Sequence, residues 1–313
     1  MRTRRETRHV YGEALLRAGE SNPQIAVLDA DLYKSTRSDL FRERFGERFI
    51  DMGISEMDMV STAAGLAASG MIPYANSFAM FITAHCYDQI RIQICYPNLH
   101  VILAGSSAGL TQGPDGASHQ ALEDIALMRA LPNMRVLVPA DGVETEAMTL
   151  AGAQEIDGPV YLRLGRYPVP DLFDSSYRFA LGRASWLGQG SDVTLIACGH
   201  TVSAARDAAE LLANRDISAG VVNMSSIKPL DEDAVRAAMQ ATPLIVTVEE
   251  HSILGGLGGA VAEVMAETGG NARLLRLGTR DRFGESATAD ELLEKHGLTP
   301  RGITDSVVQA LGR

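Results

Sequence analysis

Apolar segments of strand length alternate with helical patterns along nearly the whole chain, and this alternation limits the possible folds more than any other feature. The first five apolar segments are typical of strands buried on both faces: Ile25–Leu28, Phe49–Met52, Val101–Ala104, Arg135–Val138 and Val160–Leu164. Helical patterns accompany them at Thr7–Gly19, Glu56–Ser69, Phe78–Ile94 and Val143–Ala153. Such an alternation predicts a parallel sheet covered by helices.

A second series of the same kind follows in the remaining part of the chain. Its predicted strands are Val193–Ala197, Gly220–Asn223, Leu244–Val248 and Arg273–Leu277, with helices near Thr201–Asn214, Asp231–Thr242, Gly259–Thr268 and Thr299–Leu311. The segment Tyr167–Ser176 between the two series is rich in proline and short polar residues, as linkers are. We therefore predict an α/β protein of two doubly wound domains with mainly parallel sheets, at residues 1–175 and 185–313.

The charge and the apolar patterning exclude two classes of partner. The 313 residues carry a formal net charge of −11, and no basic block is present that would displace counterions from a nucleic acid backbone. The longest apolar stretch, Met57–Ile72, is interrupted by Asp58 and by two glycines. We expect neither a nucleic acid partner nor a membrane-spanning segment.

The basic start of the chain and the three cysteines bear on where the protein works. Met1–Arg8 leads into no apolar signal core, and we interpret it as the start of a helix. Cys86, Cys95 and Cys198 are too few and too scattered for a disulfide framework or a zinc site. We expect buried thiols, no metal site on this chain and a cytoplasmic location, where thiols stay reduced.

Two segments place polar side chains where parallel α/β sheets gather their ligands, at the carboxyl ends of strands. Glu56 follows a predicted strand and opens a helix, where a glutamate also favours the positive end of the helix dipole. Residues 109–120, which we call the glycine-rich loop, combine three glycines with Asp115 and His119. Glycine lets backbone approach a ligand and histidine transfers protons, although a loop histidine is also often solvated. Leu254–Gly259 lacks the spacing of a dinucleotide fingerprint, and we attribute its glycines to close helix packing.

Taken together, blocks spread over almost the whole chain resemble the carboxyl-terminal half of transketolase, in the right order. The blocks in the first half are Asp29-Ala-Asp31-Leu32, Gly53-Ile-Ser-Glu56, Ser77-Phe78-Ala-Met-Phe81, Asp115-Gly-Ala-Ser-His119-Gln120 and Tyr161-Leu-Arg163. Those in the second half are Ile227-Lys-Pro-Leu-Asp231, Glu249-Glu-His-Ser-Ile-Leu-Gly-Gly256, Phe283-Gly-Glu-Ser286 and Leu292-Leu-Glu-Lys-His-Gly-Leu298. One block would be weak, whereas the ordered set is specific.

This resemblance implies a thiamine-diphosphate enzyme of which the chain supplies only two domains. The family has a diphosphate-binding, a pyrimidine-binding and a carboxyl-terminal domain, and this chain resembles the last two. The Gly-Asp-Gly…Asn motif that holds the diphosphate and its metal is absent as an ordered unit. The resemblance therefore implies a partner chain, an N-terminal transketolase subunit that holds Mg²⁺ or another divalent cation. Family analogy also implies a heterotetramer of two plus two chains.

The resemblance also assigns roles to the cofactor-binding residues. Glu56 matches the glutamate that lies against the pyrimidine ring of the cofactor and promotes the proton transfer that activates it. Phe78 and Phe81 match positions that pack around this ring. Many family members have a third aromatic residue where this chain has Ala84. We therefore expect Glu56, Phe78 and Phe81 to bind the cofactor and Glu56 to be catalytic.

The remaining matches concern the substrate. Asp115 and His119 match residues that hydrogen-bond the hydroxyl and carbonyl groups of a bound sugar, and His119 also matches a group that moves protons. The positions of Arg8, Ser35 and Arg163 match those that hold the sugar's terminal phosphate. Arg166 is a further candidate nearby without a firm match, while a histidine common in this phosphate cluster is missing near residues 105–106. A phosphosugar is the expected substrate.

The expected reaction is the transfer of a two-carbon ketol unit from a ketose to an aldose acceptor. Two enzymes of the same superfamily are alternatives: the beta chain of a 2-oxoacid dehydrogenase and a deoxyxylulose-phosphate-synthase-like enzyme. The Asp-Gly-x-x-His-Gln and Phe-Gly-Glu-Ser blocks favour transketolase over the dehydrogenase chain. An alternative of another class is a non-catalytic regulatory subunit, which the retention of Glu56 and His119 disfavours.

Overall fold

Two mostly parallel sheets organise residues 4–313, the part of the chain that the computed structural model describes. The strands are β1 (Arg4–Arg5), β2 (Ile25–Asp29), β3 (Phe49–Asp51), β4 (Ile72–Phe78), β5 (Ile102–Ser106), β6 (Arg135–Leu137), β7 (Val160–Arg163), β8 (Val169–Pro170), β9 (Ser185–Gly188), β10 (Val193–Ala197), β11 (Ala219–Asn223), β12 (Ser226–Lys228), β13 (Leu244–Ser252) and β14 (Arg273–Thr279). The α/β fold class predicted from the sequence is confirmed.

The helices cover both sheets. They are α1 (Thr7–Ser21), α2 (Tyr33–Thr36), α3 (Asp39–Arg44), α4 (Glu56–Ala68), α5 (Tyr87–Gln89), α6 (Asp124–Ala130), α7 (Gly142–Gln154), α8 (Thr201–Ala213), α9 (Glu232–Ala241), α10 (Leu257–Thr268), α11 (Ala289–Lys295) and α12 (Pro300–Leu311). Short 3₁₀ turns lie at Gly46–Arg48 and Leu110–Asp115, and π-helical turns lie at Phe81–His85 and Ile90–Cys95. Within residues 4–313, no helix is both long enough and apolar enough to cross a membrane.

The first sheet has the strand order β12-β6-β7-β5-β4-β2-β3, and every neighbouring pair is parallel except β12 with β6. Its central strands are buried on both faces because neighbouring residues point to opposite cores. Val27, Tyr74 and Ile102 lie in register in one core, and Leu28, Ala75 and Leu103 lie in register in the other. The carboxyl ends of six parallel strands therefore meet at one edge, which positions the site described below.

The second sheet has the order β14-β13-β10-β11-β9, with β9 antiparallel at one edge. The two sheets are not independent, because β12 follows β11 in the chain yet pairs with β6 of the first sheet. One continuous core contains Leu103 from the first sheet, Ile227 from β12 and Ile245 from the second sheet. The domain limits 1–175 and 185–313 stay a prediction. The structure shows in addition that β12, which lies within 185–313, pairs with a strand of 1–175.

Three sequence predictions differ from the structure. Strand β4 was absent from the predicted strands, and the helix predicted from Phe78 begins only after this strand ends. The sequence of β4 lacks the alternation of apolar and polar residues that marks a half-buried strand, because its central position in the sheet buries both faces. Within the basic start, residues 1–3 lie outside the described chain, and Arg4–Arg5 forms a strand before α1 begins. Its partner is Val169–Pro170, so the predicted linker starts with an ordered pairing.

Candidate active site

The polar residues predicted for the site follow the strands that meet at the carboxyl edge of the first sheet. Ser35 follows β2, Glu56 follows β3, Phe78 ends β4 and the glycine-rich loop follows β5. Because these strands are adjacent and parallel, side chains distant in sequence converge on one surface.

Glu56 is the first residue of α4 and its side chain is only 7% exposed. Its Oε2 lies 3.8 Å from Nδ1 of His85, whose side chain is half exposed. Within residues 4–313, no side chain lies within hydrogen-bonding distance of its carboxylate. The surface beside it is open, since neighbouring Ile54 is 84% exposed. Glu56 is thus a buried acid at the rim of an open surface, with its oxygens not committed to the fold.

Phe78, Phe81 and His119 form an aromatic cluster beside this surface. The rings of Phe78 and Phe81 are stacked, with centroids 6.1 Å apart. The His119 ring meets both edge-on, 5.2 Å from Phe81 and 6.0 Å from Phe78. Phe81 sits in the π-helical turn Phe81–His85, a distortion common at functional sites. The structure therefore brings together two predicted cofactor residues and one predicted substrate residue, while Ala84 on the same turn is exposed.

Asp115 of the glycine-rich loop is partly exposed and has two side-chain contacts. Gln112 Nε2 donates to Asp115 Oδ2 at 2.6 Å, and Arg166 lies 3.6 Å from the same oxygen. His119 Nδ1 is 3.0 Å from the hydroxyl of Ser118, which leaves Nε2 without a partner in the described chain. Asp115 and Arg166 form a pair that is about 40% exposed on each side, so both charges remain accessible.

Arg8 and Ser35 also meet at this edge. Arg8 Nη1 donates to the backbone oxygen of Ser35 at 3.0 Å, and its Nε donates to Glu6 at 2.7 Å. The Arg8 backbone N–H donates to the Gly165 oxygen, which places Arg166 next in the chain. Arg8 thus contacts the backbone of Ser35 through its side chain, and its own backbone is bonded to the residue before Arg166.

The environment of Arg163 does not favour the phosphate role expected for it. Its Nε donates to Asp124 Oδ2 at 2.7 Å, and its Nη2 donates to the backbone oxygens of Ala121 and Glu250. The side chain is only 6% exposed. A phosphate role would require this buried ion pair to open, so Arg166, the further candidate without a firm match, is the more accessible arginine.

A closed polar network surrounds Arg163 where the two sheets meet. Tyr161 donates to Asp124 at 2.6 Å, and His251 Nε2 accepts the backbone N–H of Ala126. Burial pushes the pKa of Asp124 upward, but the charge of Arg163 and the hydrogen bonds from Arg163 and Tyr161 outweigh it and hold the pKa below its usual range. The network is structural, because its charges face one another and not solvent.

The consecutive acids Glu249 and Glu250 take different partners. Glu249 accepts the backbone N–H groups of Leu257 and Gly258 at 2.7 Å each, and so caps α10. A Cβ on Gly256 would lie 2.1 Å from this carboxylate, as expected for glycines that permit close helix packing. Glu250 reaches the glycine-rich loop instead, a contact that no sequence motif revealed.

The residues present suit a heteroaromatic cofactor that brings its own reactive carbon. Two stacked phenylalanines offer an apolar platform for a ring, and the uncommitted Glu56 carboxyl offers a partner for a ring nitrogen. Within residues 4–313, no three His, Cys, Asp or Glu side chains are grouped so as to hold a metal ion. Residues 4–313 therefore offer groups for the ring of such a cofactor.

Comparison with known proteins decides which family combines these features. Residues 4–170 match the family described as the transketolase pyrimidine-binding domain, and residues 182–303 match the transketolase C-terminal domain. The chain belongs to the transketolase family. Transketolases depend on thiamine diphosphate and are transferases, so the sequence-based identification is confirmed at this level.

Several similar proteins in this family are named as separate sections or subunits of transketolases. The transketolase C-terminal section of Methanocaldococcus jannaschii is 43% identical over 96% of this chain and 95% of its own length. A 6-deoxy-6-sulfo-D-fructose transketolase subunit of a Clostridium species is 40% identical over 95% of this chain and 91% of its length. A solved structure, a split-gene transketolase described as an inactive beta4 tetramer, is 48% identical with a TM-score of 0.91 and 98% coverage of both chains.

Proposed function

We propose that this chain is the C-terminal subunit of a split transketolase that transfers a two-carbon ketol unit from a phosphorylated ketose to an aldose. The observation that carries the proposal is the uncommitted, buried Glu56 beside the Phe78–Phe81 platform and His119. The partner would be an N-terminal subunit with the diphosphate-binding domain and Mg²⁺, in a heterotetramer of two plus two chains. Support for the split arrangement comes from the length match to split subunits.

Glu56 and the two phenylalanines would hold the pyrimidine ring of thiamine diphosphate. When bound, this cofactor supplies the nucleophilic carbon and the electron sink for the two-carbon unit. The Glu56 carboxyl would hold and exchange a proton with a ring nitrogen, and its burial keeps water from competing for that contact. Phe78 and Phe81 orient the ring by stacking.

Asp115 and His119 would orient the sugar. The Asp115 carboxylate accepts hydrogen bonds from hydroxyl groups, and Nε2 of His119 is free to exchange a proton with the carbonyl or hydroxyl oxygen of the substrate. Since the His119 ring packs edge-on against Phe81, the proton-transferring group and the cofactor platform have a fixed separation.

Arg8, Ser35 and Arg166 would bind the terminal phosphate of the sugar. Their support is convergence, because Arg8 contacts the Ser35 backbone and is tied through Gly165 to Arg166. Arginine's fork suits a phosphate, and the Ser35 hydroxyl adds a neutral donor. We assign Arg163, named for this role by the family match, to the support beneath this cluster.

Reconstitution tests the proposal. The chain is mixed with the N-terminal subunit, thiamine diphosphate and Mg²⁺, and ketol transfer from xylulose 5-phosphate to ribose 5-phosphate is followed. We expect turnover from the mixture and none from this chain alone. Substantial turnover by the isolated chain would contradict the split arrangement.

A substitution then tests the catalytic residue. Glu56→Gln keeps the shape but cannot exchange the proton, so turnover of the mixture should fall by roughly 10²- to 10⁴-fold. Asp58→Asn is the matched control, since it removes a charge from the exposed face of the same helix turn. Full turnover with Glu56→Gln would show that the chain is a non-catalytic subunit or that another group does the work.

A further inference from the structure

The glycine-rich loop carries the substrate residues proposed above, yet its shape is held largely by residues of the second half of the chain. Its first glycine, Gly109, has a φ of +82° and approaches Glu250 so closely that a Cβ would lie 2.4 Å from the carboxyl carbon. The loop backbone therefore rests directly on a carboxylate from β13.

Glu250 uses both of its oxygens at this contact. Oε1 accepts the backbone N–H of Thr111, and Oε2 lies 2.8 Å from Nδ1 of His200. The backbone oxygen of Glu250 accepts from Arg163, which fixes the strand position beneath. With the side chain 3% exposed, water does not compete for these contacts.

Two further contacts fasten the other end of the loop to the same half of the chain. Gln120 Nε2 donates to the backbone oxygens of Gly113 at 3.0 Å and of Glu285 at 2.9 Å. A Cβ on Gly116 would lie 2.5 Å from the hydroxyl oxygen of Ser286. Asp115 and His119 lie between these anchors, so their positions depend on them.

We propose that Glu250 is a positioning residue for the transferase reaction: it accepts the Thr111 N–H and thereby sets where Asp115 and His119 stand relative to the substrate. This inference rests on the proposed function, since it takes Asp115 and His119 as the groups that meet the sugar. It assigns to the C-terminal domain an indirect part in substrate binding, through a residue that itself touches no substrate.

Glu249 offers a matched control for the test. It is adjacent, equally buried, and also accepts two N–H donors, but both belong to its own half of the chain at the start of α10. Replacing either glutamate by leucine keeps a side chain of similar size, removes both acceptor oxygens and leaves the buried donors without the carboxylate. The two variants therefore lose the same group at different places.

Hydrogen exchange of the full-length chain gives a readout that needs no activity. We expect Glu250→Leu to speed amide exchange in residues 109–116 by about tenfold or more, the factor that a lost contact of about 1.4 kcal/mol produces. Glu249→Leu should speed exchange at the start of α10 and leave residues 109–116 unchanged. Equal exchange in residues 109–116 for wild type and Glu250→Leu would overturn the proposal.

Kinetics of the reconstituted complex give the second readout. With Glu250→Leu we expect the KM for xylulose 5-phosphate to rise about tenfold while thiamine diphosphate affinity stays unchanged, because the cofactor residues lie on other elements. Glu249→Leu should lower the melting temperature with no change in KM. A drop in melting temperature alone for Glu250→Leu means a merely structural role and refutes the positioning role, whereas failure of the proposed function would appear separately as full turnover by Glu56→Gln.

Discussion

The carboxyl edge of the first sheet and the polar network between the sheets are built from the same residue types and behave in opposite ways. At the edge, Glu56 has a single contact at 3.8 Å and Asp115 shares an exposed pair with Arg166. In the network, Asp124 and Arg163 are buried and saturated with hydrogen bonds. The charged groups free to act are those that the fold leaves short of partners.

Because of this difference, substitutions in the two regions should change the free energy of unfolding by different amounts. An ion pair out of water is strongly destabilising to break, because the surviving charge stays buried. A charged group at the open edge contributes little to the free energy of folding, so it remains available to bind ligands. The following substitutions test the contrast, in order of decreasing expected effect.

The largest effect is expected in the closed network. Arg163→Met leaves the Asp124 carboxylate buried without its cation, so the free energy of unfolding should fall by about 3–5 kcal/mol. Urea denaturation of the chain measures it. A double variant with Asp124→Asn should recover part of the loss. A loss below about 1 kcal/mol for Arg163→Met would show that water reaches the network.

Asp29 is a second buried carboxylate, but no cation is paired with it among the described residues. Its pKa therefore shifts in the opposite direction from that of Asp124. Burial raises the pKa of Asp29 from 3.8 to about 6, although Thr36, Leu32 and Ser38 donate hydrogen bonds that lower it. A raised folded-state pKa means that the folded chain binds the extra proton, so this stability is full below pH 3.8 and is lost as the pH rises through about 6.

The measurement is a comparison of unfolding free energies for wild type and Asp29→Asn between pH 4 and 7. Relative to the variant, wild type should lose about 2–3 kcal/mol across this interval, at about 1.4 kcal/mol per unit of pKa shift. Asp31→Asn, at an exposed position two residues on, is the control and should run parallel to wild type. Parallel curves for Asp29→Asn would contradict the raised pKa.

The third prediction moves to the open edge. Arg166→Met should leave the free energy of unfolding within about 0.5 kcal/mol, because its pair with Asp115 is exposed. In the reconstituted complex the KM for xylulose 5-phosphate should rise about tenfold, as for a lost charge-assisted contact. Hydroxypyruvate, a donor without phosphate, should keep its KM; an equal rise for both donors would remove Arg166 from the phosphate site.

The smallest expected effect concerns the aromatic platform. Phe81→Leu keeps an apolar side chain but loses the ring, so the affinity of the complex for thiamine diphosphate should fall by about two- to fivefold, the worth of one aromatic stack. Calorimetric titration of the cofactor into the complex measures this. An unchanged affinity would mean that the platform does not face the cofactor.

The sequence was sufficient for the fold class and for naming most residues of the open edge, and insufficient for the contacts between the halves. Motifs point to Glu56 and His119 because each belongs to a short continuous block of sequence, and their roles stay predictions. The ion pair of Arg163 was not foreseen because its partner Asp124 is 39 residues away and no spacing rule joins them. Glu250 was overlooked for the same reason, since its contact with Thr111 spans 139 residues.

The strand β12 has a consequence for how the chain acquires its structure during synthesis. The first sheet cannot gain its last strand until residues 226–228 have left the ribosome, by which time β9, β10 and β11 are also available. Until then β6 presents an unpaired edge, the kind of edge that recruits other chains into aggregates. The nascent chain therefore has a vulnerable interval that ends when the second half folds, and expression of residues 1–175 alone would make that interval permanent.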